Sequence, residues 1–387
     1  MSLLMDTSSE AIHGLLPVFL VSVLGATTLQ VGLIEGVAEA TASITRVFSG
    51  ALSDWLGRRK SLTLVGYGLA AATKPLFALA PTVGWVFGAR FVDRIGKGIR
   101  GAPRDALIGD LAPPELRGAS YGLRQSLDTV GAFLGPLLAI AGMALTGDRF
   151  RVVFGWAVLP ALAAVAALWL GVREPVRPRP RPRPRPEGGA RTPIRVADLA
   201  GLGSHYWWLV GLGAVIALAR FSEAFLILRA DGLGLPVALA PLVLVGMNIA
   251  YATSSYPSGW LSDRVPRPTV LALGLGLLIV ADLVLAQARS LGGVALGVAL
   301  WGLHMGATQG LLAASIADAT PVARRGTGFG VFHLVTGVAA LGASLLAGAL
   351  WQRVGPEGTF FAGAGFSFVA LLGLARNAGG ASKKPSS

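Results

Sequence analysis

Apolar windows of 18 to 25 residues recur along the whole chain, each long enough to cross a hydrocarbon core of roughly 30 Å as a helix. They predict about twelve spans, over 3–25, 31–53, 61–80, 83–102, 119–145, 152–172, 205–228, 237–258, 268–287, 291–313, 327–350 and 358–375. The pattern is written twice. GALSDWLGRRK, from Gly50 to Lys60, returns as GWLSDRVPRP, from Gly259 to Pro268, each after a long apolar run. Asp110, Pro113, Arg117, Gly118 and Gly122 return 208 residues later as Asp318, Pro321, Arg325, Gly326 and Gly330. Duplicated halves, each of several membrane helices, mark secondary transporters that rock around a central site. The fold class expected is all-α and membrane-embedded, with about twelve transmembrane helices in two pseudo-symmetric six-helix bundles. The bundles are expected over 1–172 and 204–376, with a linker over 173–203 and a tail over 377–387.

Composition agrees with a membrane protein. The 387 residues are 53% hydrophobic and 14% charged, where soluble domains carry nearer a quarter charged. The formal net charge of +13 is read as topology, because most Lys and Arg fall in the loops after spans 2, 4, 6, 8 and 10 and in the C-terminal tail. That bias puts both termini in the cytoplasm, beneath a plasma (inner) membrane, and assigns the basicity to anionic lipid headgroups and not to nucleic acid. Asp6 and Glu10, without a basic lead, argue against a cleaved signal peptide. The chain has no cysteine, which excludes disulfides and thiolate metal sites. Between the halves, the segment from Arg173 to Leu199 alternates Pro and Arg, too polar for the bilayer and too proline-rich for a helix. It favours polyproline II, either as a solvated spacer against headgroups or as a docking ligand for a proline-recognising partner.

At GALSDWLGRRK the chain resembles the major facilitator superfamily (MFS), whose loop between helices 2 and 3 carries GxLxDxxGRRxxL. Gly50, Leu52, Asp54, Gly57, Arg58, Arg59 and Leu62 match. RIGKGIRGA, from Arg94 to Ala102, is similar to the family's helix 4 motif RxxQGxGAA, with Lys97 and Arg100 as departures. GAFLGPLLAIAG, containing Gly131, Gly135 and Pro136, resembles the helix 5 motif GxxxGPxxGG of proton-driven exporters and departs near its end. The resemblance implies the MFS fold, no cofactor, and a latch in which Asp54, with Arg58, engages the positive end of helix 11. The second copy, around Asp263, has lost the glycine and most of the basic residues. In relatives the arginine matched by Arg94 is linked to proton transfer. Gly131, Gly135 and Pro136 serve either close packing or controlled bending. Arg104 and Asp110 are expected at the inner gate, with Arg117 and its repeat Arg325 forming a pseudo-symmetric clasp.

Ionisable groups inside spanning helices cost roughly 2.5 to 3.5 kcal/mol each on insertion scales, so they should pair and face a cavity. Span 1 has Asp6 and Glu10; span 2 has Glu35, Glu39 and Arg46; span 4 has Arg90, Asp93, Arg94 and Lys97; span 5 has Arg124 and Asp128. Span 7 adds Arg220 and Glu223, and span 9 adds Asp282. SSEAI around Glu10 and FSEAF around Glu223 place an acid at equivalent points in spans 1 and 7. Such acids either carry protons and bind a cation, or form static ion pairs, Glu10 with Arg46 or Arg94 and Glu223 with Arg220. Arg90, Arg94 and Lys97 share one helical face, with Asp93 adjoining. That stripe faces either the acids of spans 1 and 2 or an anionic substrate. His304 and His333 are either cavity groups or structural residues, and Trp301, His304 and Gln309 with Asn248 and Tyr251 form a candidate substrate surface. No set of converging His and carboxylate ligands marks a metal site.

The leading expectation is a monomeric secondary active transporter, a proton-coupled antiporter exporting a small molecule or ion. One alternative is a carrier of organic anions or phosphorylated compounds using the helix 4 arginines. An alternative of another class is a non-transporting membrane sensor or scaffold acting through the linker. The chain carries neither a Walker loop nor a nucleophile elbow, so it is not expected to be an enzyme and its energy should come from a gradient.

Overall fold

The structure, a computed structural model, describes residues 1–56, 59–111, 117–172, 202–262, 264–320 and 325–381. Its elements form twelve consecutive spans, numbered α1 to α12. Span α1 is Ser2–His13, continued after a break by Leu16–Val18 and a π-helical turn at Phe19–Val23. Then come α2 (Thr28–Leu56), α3 (Arg59–Leu79), α4 (Val83–Leu111), α5 (Arg117–Thr146) and α6 (Phe150–Trp156 with Val158–Gly171). The second half has α7a (Ser204–Ala219), α7b (Ala224–Asp231), α8 (Leu242–Ser262), α9 (Arg267–Gln287), α10 (Leu291–Ala319), α11 (Arg325–Arg353) and α12 (Pro356–Ala381). Among the described residues nine spans meet the length and hydropathy needed to cross a bilayer on composition alone. The other three are α1, which is broken, and α2 and α4, which carry the charges.

Helix ends follow stop signals and not the edge of the apolar run. Thus α4 continues past 102 to Leu111, stopping before Pro113, and α10 continues past 313 to Ala319, stopping before Pro321. Span α12 likewise runs to Ala381, beyond the expected end at 375. The two breaks were not expected from hydropathy. In α1 the helix stops at His13 because Pro17 cannot supply an amide to residue 13. Between α7a and α7b, Arg220 leaves helical geometry (φ −104°, ψ 77°) and Ser222 Oγ accepts from Ala224 N at 3.2 Å, a local bond that competes with the helix.

The repeat is visible in the packing. A Cβ at Gly66 on α3 would meet the Gly96 carbonyl and Arg100 N of α4, both at 2.7 Å; one at Gly274 on α9 would meet Thr308 Cγ2 of α10 at 2.5 Å. Gly98 on α4 lies against Thr45 of α2, and Gly306 on α10 against Ser254 of α8. Side chains that would face lipid are apolar and exposed, Leu145, Leu159, Trp169 and Phe368 among them, as a bilayer-embedded surface requires. Arg229 of α7b is buried and donates to the carbonyls of Leu285, Ala286 and Ala288 at 3.0, 3.2 and 2.8 Å, so a cation closes the C-terminal end of α9.

The two bundles meet most tightly at the end away from the termini. There a Cβ at Gly14 would lie 2.9 Å from Pro241 Cβ, a Cβ at Gly32 would lie 2.1 Å from the Ser344 carbonyl, and Thr28 Oγ1 donates to Gly348 O at 3.3 Å. The α2–α11 seam continues inward through Gly36 against Leu341 and Gly337 against Ser43.

Candidate functional site

A cavity of about 560 Å³ lies at the seam of the bundles. Spans α1, α2 and α4 contribute Glu10, His13, Glu35, Glu39, Arg94 and Lys97; α7 to α11 contribute Arg220, Glu223, Asn248, Trp301, Gln309 and His333. A second cavity of about 490 Å³ shares Glu10, Lys97 and Asn248 with it and adds Asp6, Arg46, Arg100, Arg104, Asp128 and Tyr251. The second cavity extends the first toward the termini, since it reaches Asp6 near the start of α1 and Arg104 near the end of α4. Together they form a path from mid-molecule toward the looser end of the seam.

The break in α1 places the histidine that organises the N-terminal side. His13 Nδ1 lies 3.2 Å from Glu10 Oε2, and its Nε2 lies 3.7 Å from Glu35 Oε2. Arg90 donates to Glu35 at 2.9 Å, with both side chains 2% exposed. Arg94 lies 3.7 Å from Glu39 and 3.9 Å from Asp93. Glu10 is therefore partnered by His13, and not by Arg46 or Arg94 as the sequence suggested; the histidine follows at i+3 on the same face. Arg90 and Arg94 meet the acids of α2, so the stripe on α4 is turned to protein carboxylates. Lys97 lines both cavities and, among the described residues, forms no ion pair within 4 Å.

Asp93 finds its base in Lys74 of α3, whose Nζ donates to Asp93 at 2.8 Å and to Ser9 Oγ of α1 at 3.0 Å. Lys74 is 1% exposed and was missed by sequence reasoning; its signal was a lone lysine inside an apolar window, which must find a carboxylate. Nearer the termini, Arg100 donates to Asp6 at 3.3 Å and stacks over Tyr67 at 4.8 Å. Arg104 donates to Ser2 Oγ at 2.7 Å and lies 3.2 Å from Asp105 and 3.7 Å from Asp128, while Arg124 donates to Asp128 at 3.0 Å. Arg46 is exposed along the second cavity beside Gly101, where a Cβ would come within 3.3 Å of its Nε.

On the C-terminal side, Arg220 and Glu223 flank the break in α7 and both line the cavity. Among the described residues they form no ion pair within 4 Å, so the static pair expected for Glu223 is not made. Asn248, Trp301 and Gln309 line the main cavity, and Tyr251 lines the second. His304 is a correction. It is fully buried between α10 and α9, donates through Nδ1 to Gly274 O at 2.8 Å and lines neither cavity, whereas His333 lines the main one. Its ring is taken up by the α9 backbone at Gly274, and so is withheld from the cavity that Trp301 lines.

Gly131 and Gly135 of α5 pack against α1. Cβ atoms there would meet the Leu3 carbonyl at 2.6 Å and the Thr7 carbonyl at 2.7 Å, and Pro136 lies inside the same continuous helix. Asp318 at the end of α10 accepts from Arg267 at the start of α9. Gly57, Arg58 and Asp263 lie outside the described residues, as do residues 173–201 of the linker; so do the details of Gly50 and the side chains of Asp54, Asp110, Arg117 and Arg325.

Twelve helices in two repeated bundles around an ion-lined cavity define a multi-pass membrane transporter. The family model described as Major Facilitator Superfamily matches residues 1–228 and 209–386, and the chain belongs to that superfamily. An uncharacterised MFS-type transporter of Methanocaldococcus jannaschii is 32% identical over 383 residues, 96% of this chain and 91% of its own. The multidrug resistance protein MdtH of Salmonella paratyphi B is 25% identical over 334 residues, 77% of this chain and 80% of its own. A crystal structure of the nucleoside transporter NupG has the same fold, with a TM-score of 0.75 at 13% identity over 97% of this chain and 96% of that one. Other relatives and neighbours are sugar and peptide transporters, so the family spans several substrate classes.

Proposed function

We propose that this protein is a proton-coupled antiporter that exports a small solute by alternating access, working as a monomer in the plasma (inner) membrane with both termini in the cytoplasm. The carrying observation is the placement of Glu10 in both cavities with His13 as its immediate partner, opposite Glu223 across the bundle seam. Acids that exchange partners as two bundles rock are suited to couple protonation to the side from which the cavity opens. With the termini in the cytoplasm, the tight end at Gly14–Pro241 faces outward and the path through Arg104 faces inward. Asp54 and Arg58 then act as a latch between alternating states, and Gly131, Gly135 and Pro136 as the packing seam on which α5 moves against α1.

The geometry favours this over an anion carrier, because Arg90 is taken up by Glu35, and Arg94 by Glu39 and Asp93. Of the arginines and lysines lining the two cavities, Arg46, Lys97 and Arg220 have no carboxylate within 4 Å among the described residues, and they stand apart from one another on α2, α4 and α7. A knockout strain screened for growth against toxic solutes and metal salts identifies the exported solute. Flux of that solute in proteoliposomes under an imposed pH gradient then tests coupling. Glu10→Gln is expected to insert and fold normally and to lose gradient-driven flux; coupled flux equal to wild type overturns the proposal.

A further inference from the structure

Asp282 of α9 has no place in the cavity chemistry above. It is fully buried in the C-terminal bundle, and among the described residues neither carboxyl oxygen has a hydrogen-bond donor or a basic partner. The duplication explains the isolation. Asp282 stands 208 residues after Lys74, in the register that also relates Gly274 to Gly66 and Thr308 to Arg100. Those last two pairs pack alike in both halves, since Gly66 lies on Arg100 and Gly274 on Thr308. In the first half Lys74 binds Asp93 at 2.8 Å. In the second half the position of Asp93 is held by Trp301, whose indole Nε1 also lacks an acceptor. The repeat has thus kept an ionisable group at this point while exchanging base for acid and removing its counter-charge.

A carboxylate anion buried without a hydrogen-bond donor or counter-ion from the protein is not sustained in such a place, whereas a carboxylic acid is. The site also has a neighbour on the transport path. A Cβ at Gly363 of α12 would meet Asp282 Oδ2 at 2.6 Å and Phe221 Cε1 at 3.0 Å, so Asp282 and Phe221 both pack against this one glycine. Phe221 belongs to the non-helical segment between α7a and α7b and lines the main cavity. The ring of Phe221, carried on the break in α7 and packed against Trp301 and Phe360 at 5.2 and 5.5 Å between centroids, borders both the Asp282 site and the transport path. The titratable groups on the elements around it are His304 of α10, buried and bonded to Gly274, Arg220 and Glu223 beside Phe221, and Glu357 in the first turn of α12, near Arg229.

We propose that Asp282 is a second proton-binding site, enclosed in the C-terminal bundle and loaded from the cavity when the 220–223 segment moves Phe221 aside. It deepens the proton-coupled reading above and rests on it for its role in the cycle, but the proton itself is observable without transport. Infrared spectra of the reconstituted full-length protein read protonated carboxyl groups directly through their C=O stretch. The expected result is a buried-acid band that Asp282→Asn removes and Glu10→Gln leaves, and whose deuterium shift in heavy water is several-fold faster in Phe221→Ala. Should Asp282→Asn fail to fold, carbon-13-labelled aspartate identifies the same band in the unmutated chain, because glutamate bands do not shift. Absence of a buried aspartic-acid band overturns the proposal, and so does a deuterium shift that Phe221→Ala leaves unchanged. Loss of coupled flux in Glu10→Gln is a separate measurement, so either reading can fail while the other stands.

Discussion

At the scale of single residues, the cavity is organised by groups whose meaning depends on what folding brings beside them. His13 is the clearest. Its imidazole stands between carboxylates from two helices, with Glu10 at 3.2 Å and Glu35 at 3.7 Å, and Glu35 is anchored by Arg90 at 2.9 Å. A proton leaving Glu10 therefore has a base at hydrogen-bond distance whose other face meets a fixed negative charge. His13→Gln keeps size and one hydrogen bond but cannot take the proton. Its expected effect is a fall in gradient-driven flux of about 100-fold, the order by which positioned acid–base groups act, with solute counterflow at equal pH largely kept. Counterflow and gradient-driven flux measured on the same vesicles check it; equal loss of both would make His13 a structural residue. The acids Glu10 and Glu223 were legible because the repeat marks them, and His13 was not, because a single histidine in an apolar run carries no sign of its partner until α1 breaks beside α2. Lys74 shows the same limit, since its partner Asp93 is set by the crossing of α3 and α4.

At the scale of helices, the sequence located the twelve spans well and their interruptions poorly. Apolar length is a sum over a window, so it finds α9 or α12 readily, but the breaks at Gly14 and at 220–223 come from a missing amide and a serine bond within runs that stay apolar. The packing role of glycine was legible in GAFLGPLLAIAG, and its strictness differs along the chain. Gly135→Val would drive its Cβ to 2.7 Å from the Thr7 carbonyl and 2.9 Å from Ala11 N, both backbone atoms of α1 that cannot swing away. The expected cost is about 1 to 3 kcal/mol from overpacking, read as a lower melting temperature and poorer monodispersity in detergent. A Cβ at Gly68 on α3 would meet no atom within 4 Å, so Gly68→Ala should be neutral or stabilise by roughly 0.5 to 1 kcal/mol. If the two variants melt alike, close approach of α5 to α1 is not what holds the N-terminal bundle together.

At the scale of the whole molecule, function depends on how two rigid bundles meet, and here the contacts are uneven. Glycines bring α2 and α11 to backbone contact from Gly32 to Gly337, and α1 reaches the α7b–α8 turn at Gly14 and Pro241. Toward the termini the seam instead encloses the two linked cavities. An alternating transporter in this arrangement must part the Gly14–Pro241 contact once in every cycle. The chain has no cysteine, so a pair placed at G14C and P241C is the only disulfide available. Their Cβ positions, 2.9 Å apart, need to widen by about 1 Å to suit a disulfide, which lies near 3.8 Å. Cross-linking can be read on a denaturing gel after trypsin cuts the linker at Arg191 and Arg195, neither of which precedes a proline, because the two halves then co-migrate only if bonded. The oxidised pair is expected to hold the halves together and to stop flux of the exported solute, and reductant is expected to restore it. A fully cross-linked protein that still turns over at the rate seen in reductant would mean that this contact never opens, and that solute reaches the far side by a path other than the seam.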